Sequence, residues 1–128
     1  MPMIYVLGVL GLSGCQSSHS EGKDLYLTHC ANCHSEDGTG LSELIPPLAA
    51  ADYLDTHAQE IACIIRKGLK GKITVNGRIY ENEMPANPKL SPVDINNIQN
   101  YIQNAWSKSA QKPFINLQTT QEQLKNCP

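Results

Sequence analysis

Cys30-Ala31-Asn32-Cys33-His34 sets two thiols three positions apart, with an imidazole next to the second. Each thiol can add across one vinyl group of a haem, and the adjacent imidazole can then bind the iron from beneath the ring. Two other chemistries use paired cysteines. A thioredoxin-like dithiol stands after a strand at the start of a helix. Here the pair closes a helical stretch and no βαβ pattern follows. A zinc site needs two further ligands, usually a second close pair; Cys63 and Cys127 are solitary and far apart. The motif therefore points to one covalent haem c, with Cys30 and Cys33 as attachment points and His34 as an iron ligand.

The rest of the chain is compatible with that cofactor. Its 128 residues suit one domain. With 41% apolar and 17% charged residues a packed core is within reach. One Phe and one Trp leave that core short of large aromatics, and a flat apolar cofactor would fill the deficit. The net charge of −2 argues against a dedicated nucleic-acid binder, which is usually basic. Charges between residues 36 and 60 are all acidic, and Arg66, Lys67, Lys70, Lys72 and Arg78 form a wholly basic stretch. That stretch reads either as a solvated face or as a surface steering an acidic redox partner.

Local patterns place the elements. Gly22, Tyr26 and Cys30 are spaced by four and share one helix face, with Ser20 as the expected N-cap. Asp37-Gly38-Thr39-Gly40-Leu41 is a glycine-rich turn, and Ile45-Pro46-Pro47-Leu48 a rigid loop. Residues 56–68 are expected to form one helix, capped by Thr56 with Gln59 and ended by Gly68. Its apolar face is Ala58, Ile61, Ala62, Ile65 and Leu69. Asn76-Gly77 between two β-rich runs is a hairpin turn. Ser91-Pro92 opens the last major helix, whose expected stripe is Ile95, Ile98, Ile102 and Ala105.

Taken together, these motifs resemble class I cytochromes c. The likeness runs over residues 22–106, most closely to the cytochrome c domains fused to some dehydrogenases and copper nitrite reductases. It implies an all-α fold with a small β-hairpin before the distal Met. It also implies that Gly22 permits a close crossing with the last helix, where Tyr101 is the candidate partner. The Pro46 carbonyl would accept a hydrogen bond from the free ring nitrogen of His34. Met84, in Asn82-Glu83-Met84-Pro85, occupies the family's distal ligand position. A solitary Met is more often core filling; its company with Cys-x-x-Cys-His reverses that. His57 and His29 are the competing distal ligands, one reading as a surface residue and the other too close to Cys30. The implied function is single-electron transfer between redox partner proteins, with no catalytic residue and no small-molecule substrate. The alternatives are a haem subunit of a dehydrogenase, oxidase or reductase complex, or an open-site haem enzyme acting on peroxide or a small gas.

Residues 1–14 carry no charge, and the apolar run of residues 4–12 is too short to span about 30 Å of hydrocarbon. Leu12-Ser13-Gly14-Cys15 resembles the lipobox of bacterial lipoproteins, although no Lys or Arg precedes the run. That likeness implies a signal peptide over residues 1–14 and lipid on Cys15. It implies a polar tether over residues 15–20 and a location on the periplasmic side of a bacterial membrane. The haem domain is then expected over residues 21–106, with an extension over residues 107–128 packing back on it. With Cys15 lipidated and Cys30 and Cys33 on haem, Cys63 and Cys127 remain as a pair in an oxidising compartment. A Cys63–Cys127 disulfide is expected; two unpaired thiols, or pairing with another protein, are the alternatives.

Overall fold

Ser17 starts the first helix. Its extended backbone and its hydroxyl, which accepts from the Ser20 N–H at 3.4 Å, cap α1 (Ser18–His29). The expected cap at Ser20 is thus three residues late: the Ser20 hydroxyl bonds back to the Ser17 carbonyl at 2.8 Å from within the first turn. Residues 18–20, expected as tether, are helical. The computed structural model describes Met1, residues 17–109 and residues 112–128. Cys15 and the rest of the expected signal segment lie outside the described residues.

Along the chain follow α2 (Ala31–His34), α3 (Asp52–Thr56), α4 (Ile61–Lys67), β1 (Ile73–Val75), β2 (Arg78–Tyr80), α5 (Pro92–Trp106) and α6 (Leu117–Lys125). The architecture is helical, with one two-stranded antiparallel hairpin in the register Ile73–Tyr80, Thr74–Ile79, Val75–Arg78. Asn76 and Gly77 both take positive φ, as a tight primed turn demands.

The crossing of α1 and α5 organises the core. A Cβ on Gly22 would collide with the Asn97 carbonyl and lie 2.9 Å from Tyr101 Cβ, so only glycine allows this approach. Beside it Tyr26, Tyr101 and Trp106 pack as a triad with ring centroids 5.0 to 5.5 Å apart. Ser91 and Asp94 form a full capping box on α5, with Pro92 at its first position. Ile95, Ile98 and Ile102 are buried as expected, whereas Ala105, the last residue of the expected stripe, is exposed.

The helix expected over residues 56–68 is two helices. The Thr56 hydroxyl bonds back to the Asp52 carbonyl at 3.1 Å, and His57 stacks on Tyr53 with ring centroids 3.7 Å apart. Both fasten residues 56–57 to the preceding turn, so Thr56 ends α3 instead of capping a new helix. The α4 helix begins only at Ile61, and Gly68, at φ +76°, ends it.

The segment after α5 returns over the molecule. Asn116 caps α6, which packs on both α4 and α5. Cys63 and Cys127 are joined, with Cα atoms 5.5 Å apart. Cys63 is therefore covered by α6 rather than open to solvent.

Candidate haem site

The α1 helix ends at Cys30, whose carbonyl accepts from both the Cys33 and His34 N–H groups at 3.1 and 2.9 Å. This single turn is α2, and it brings Cys30, Cys33 and His34 to one edge of a cleft. Cys30 is half-buried and Cys33 exposed. Burial, with the charge of Cys33 adding to it, pushes the Cys30 thiol up to about 11. A dithiol redox catalyst needs the opposite shift, toward thiolate at neutral pH.

His34 is buried, and its Nδ1 lies 3.2 Å from the Pro46 carbonyl oxygen. A carbonyl can only accept, so Nδ1 carries the proton and Nε2 keeps its lone pair for a metal. Burial pushes the His34 pKa down, against the opposing pull of the Pro46 hydrogen bond, and the ring stays neutral. The Pro46 loop is itself pinned. Gly38 accepts from Leu48 and Ala49 at 2.7 and 2.9 Å, and the Tyr26 hydroxyl donates to the Ser35 carbonyl at 2.6 Å.

Met84 arrives from the far side. Its backbone pairs with Leu69 in both directions, at 3.0 and 2.9 Å. A Cβ on Gly68 would collide with the Met84 carbonyl, so that glycine sets how closely the Met84 loop approaches α4. His34 and Met84 line one cleft of about 670 Å³, its open mouth included. Its other walls are almost wholly apolar and include Leu54, Ile61, Ile65 and Ile98. A second chamber of about 540 Å³ shares His34, Pro46, Leu69, Ile73 and Met84 with the first and opens past Cys33 and Leu44.

The donor set fits a haem c. Two thiols stand at the edge of an apolar slot, and an imidazole and a thioether line it from separate segments. His29 is exposed, and His57 stacks on Tyr53; neither lines the cleft. No group of His, Cys, Asp and Glu among the described residues is arranged to hold a separate metal ion.

A profile of the cytochrome c family matches residues 19–106, which span the haem motif, the hairpin, Met84 and α5. The chain belongs to the cytochrome c family. Two proteins called cytochrome c-552, both from Thermus thermophilus, resemble it. One is 29% identical over 117 residues, covering 85% of this chain and 78% of the relative. The other is 30% identical over 103 residues, covering 74% of this chain and 78% of the relative. This cytochrome is a monohaem carrier of electrons of class I type, with one covalently bound haem c.

The cytochrome also holds features that its sequence did not announce. Tyr53 is a wall of the cleft. The basic stretch is partly paired. Lys70 pairs with Glu83 at 3.2 Å, Lys72 with Glu81 at 3.0 Å and Arg78 with Glu43 at 3.6 Å. Arg66 donates to the Pro88 carbonyl and Lys67 to the Pro128 carbonyl. Three of the five cations thus face carboxylates, while Arg66 and Lys67, bonded to neutral carbonyls, keep their charge.

Proposed function

We propose that this cytochrome binds haem through thioethers from Cys30 and Cys33, with His34 and Met84 as its axial ligands. It would pass single electrons between redox partner proteins on the periplasmic side of a bacterial membrane, anchored by lipid on Cys15. One observation carries the haem assignment: His34 and Met84, fifty residues apart in sequence, line the same apolar cleft while both motif cysteines stand at its edge. When bound, the haem supplies reversible one-electron chemistry at iron.

The chain supplies the rest. Pro46 fixes the His34 imidazole and raises its basicity as a ligand. The Met84 thioether is soft and neutral, favours ferrous iron and so raises the reduction potential. The apolar walls exclude water. With His34 and Met84 both holding the iron, peroxide and small gases would find no open site, which favours a carrier over an open-site enzyme. Exposure of Cys33 beside the open chamber gives electrons a short route to a partner.

The anchor rests on Leu12-Ser13-Gly14-Cys15. Among the described residues no helix is long and apolar enough to cross a membrane. Lipid on Cys15 would place α1 almost at the bilayer surface, since only Gln16 and Ser17 intervene.

Acid-solvent extraction of the denatured protein tests the covalent attachment: haem should remain with the polypeptide, and colourless protein would refute it. The ferric absorption band that marks a sulfur–iron bond should be present and should vanish in Met84→Ala. A high-spin spectrum in the unaltered protein would favour the open-site enzyme instead. Cys15→Ser should release the protein from the membrane fraction.

A further inference from the structure

The loop carrying Met84 is fastened mainly beside the end of α4, with Asn82 just before it donating to the Leu44 carbonyl at 3.1 Å. Among the described residues, every hydrogen bond from positions 84–88 to a distant part of the chain runs to positions 65–69; the Leu90 N–H to the Asn87 carbonyl, at 3.4 Å, stays local. Met84 and Leu69 pair in both directions. Asn87 donates from its backbone N–H and its side-chain amide to the Ile65 carbonyl, at 3.2 and 3.3 Å. Arg66 donates to the Pro88 carbonyl at 3.2 Å. Where α4 goes, Met84 goes.

A helix of seven residues does not hold itself. The inner face of α4 forms the cleft wall through Ile61, Ile64 and Ile65. Its outer face is bolted by the C-terminal segment. Cys63 is joined to Cys127, and Lys67 Nζ donates to the Pro128 carbonyl at 3.0 Å. Gln59, one turn earlier, accepts from the Gln123 side chain at 3.2 Å. That segment is fixed in turn on α5. The Thr120 hydroxyl accepts from Asn96 and Gln99, and Asn100 exchanges hydrogen bonds with the Ile115 backbone at 2.9 and 2.8 Å.

We infer that the C-terminal segment, bolted to α4 through Cys63–Cys127, is a positioning device that holds Met84 on the iron. The inference rests on Met84 being the distal ligand. A thioether is a weak ligand for ferric iron, so its occupancy there depends on how firmly the loop is held. Without the disulfide, α4 and the Met84 loop shift together while the α1–α5 crossing, secured by Gly22, stays closed.

The test uses the full haem-loaded chain carrying Cys63→Ser and Cys127→Ser. In the ferric state, the temperature at which the sulfur–iron absorption band disappears should separate further from the far-ultraviolet unfolding transition. Hydrogen exchange at the Leu69, Met84 and Asn87 amides should accelerate by about tenfold or more, while Tyr26 and Tyr101 keep their rates. The reduction potential should fall, because ferric iron loses its thioether more readily than ferrous. A uniform loss of stability, with the gap between the two transitions unchanged and exchange raised everywhere alike, would overturn the inference. If the double variant does not fold, native-state exchange on the unaltered protein decides. The Met84 and Thr120 amides should open together, and opening of the Met84 loop while α6 stays closed would overturn the idea. Absence of the band from the unaltered protein would refute Met84 as ligand and remove the premise.

Discussion

Asn76 and Asp52 cap each other. The Asn76 side-chain oxygen accepts from the Asp52 N–H at 3.0 Å, and the Asp52 carboxylate accepts from the Asn76 N–H at 2.7 Å. Asn76 Nδ2 adds a bond to the Ala50 carbonyl at 3.1 Å. The hairpin turn thereby supplies the N-cap that α3 lacks, since its own flanking residue is Ala51. It also sets Val75 and Ile73 against the cleft that α3 helps to line.

Two substitutions separate the two roles of Asn76. Asn76→Gly keeps the positive φ of +49° but deletes the cap, and should cost about 1 kcal/mol. Asn76→Ala loses the cap and also places an ordinary side chain in the left-handed region, adding about 1 to 2 kcal/mol. Urea unfolding of the haem-loaded protein should rank wild type above Gly and Gly above Ala. Equal loss in both would mean that the turn conformation carries no strain.

Gly22→Ala sets two effects of opposite sign against each other. In an isolated helix, alanine would gain about 1 kcal/mol over glycine. At the α1–α5 crossing its Cβ meets the Asn97 carbonyl, and overpacking costs about 1 to 3 kcal/mol or more where backbone must move. Backbone is the obstacle here, so the net change should be destabilising. A raised denaturation midpoint would show that the helices are not in contact at this point.

Much of this was legible because local chemistry and global fold agree. Cys30, Cys33 and His34 form a covalent and coordination motif that works at fixed spacing. Gly22, Tyr26 and Cys30 repeat at helical intervals. Asn76-Gly77 demands its turn. What escaped the sequence depends on distant partners. Residues 56–60 carry helix-start signals, but Thr56 and His57 bond backward, to Asp52 and Tyr53, and break the helix. The expected stripe of α5 named only its apolar residues, yet Asn96, Asn97, Gln99, Asn100 and Gln103 are all buried too. A signal was present: Asp94 is the only charged residue in fifteen, whereas a solvated helix face is usually charged. Uncharged amides suit a face that another segment covers, because they can bond a backbone without stranding a charge.

Asp55 fastens the chain just after α5. It accepts from the Ser107 and Ser109 hydroxyls and the Lys108 N–H, and pairs with Lys112 at 3.2 Å. The Ser107 hydrogen bond, with help from Lys112 and Ser109, holds its carboxyl down at about 2. The folded pKa lies below the unfolded value of about 3.9. The stabilisation is therefore complete above pH about 4 and is lost as pH falls toward about 2. Asp55→Asn should melt below wild type at pH 7, and the difference should shrink across that acid window. A difference that stayed constant with pH would show that the carboxylate charge is not what matters.

The ion pairs beside the open chamber predict how electron transfer responds to salt. Lys70, Lys72 and Arg78 each face a carboxylate within 3.6 Å, so these three cations offer approaching molecules little net field. Oxidation of the ferrous protein by ferricyanide, a small polyanion, should change by less than about threefold between low and high ionic strength. Glu81→Gln with Glu83→Gln would free Lys70 and Lys72 while leaving the His34 and Met84 attachments in place. That variant should react several-fold faster with ferricyanide at low salt, by about three- to tenfold, and lose the advantage as salt screens the exposed cations. Stopped-flow kinetics across a salt series reads both effects. A steep salt dependence already present in the unaltered protein would mean that these cations act unpaired in solution and steer anions directly.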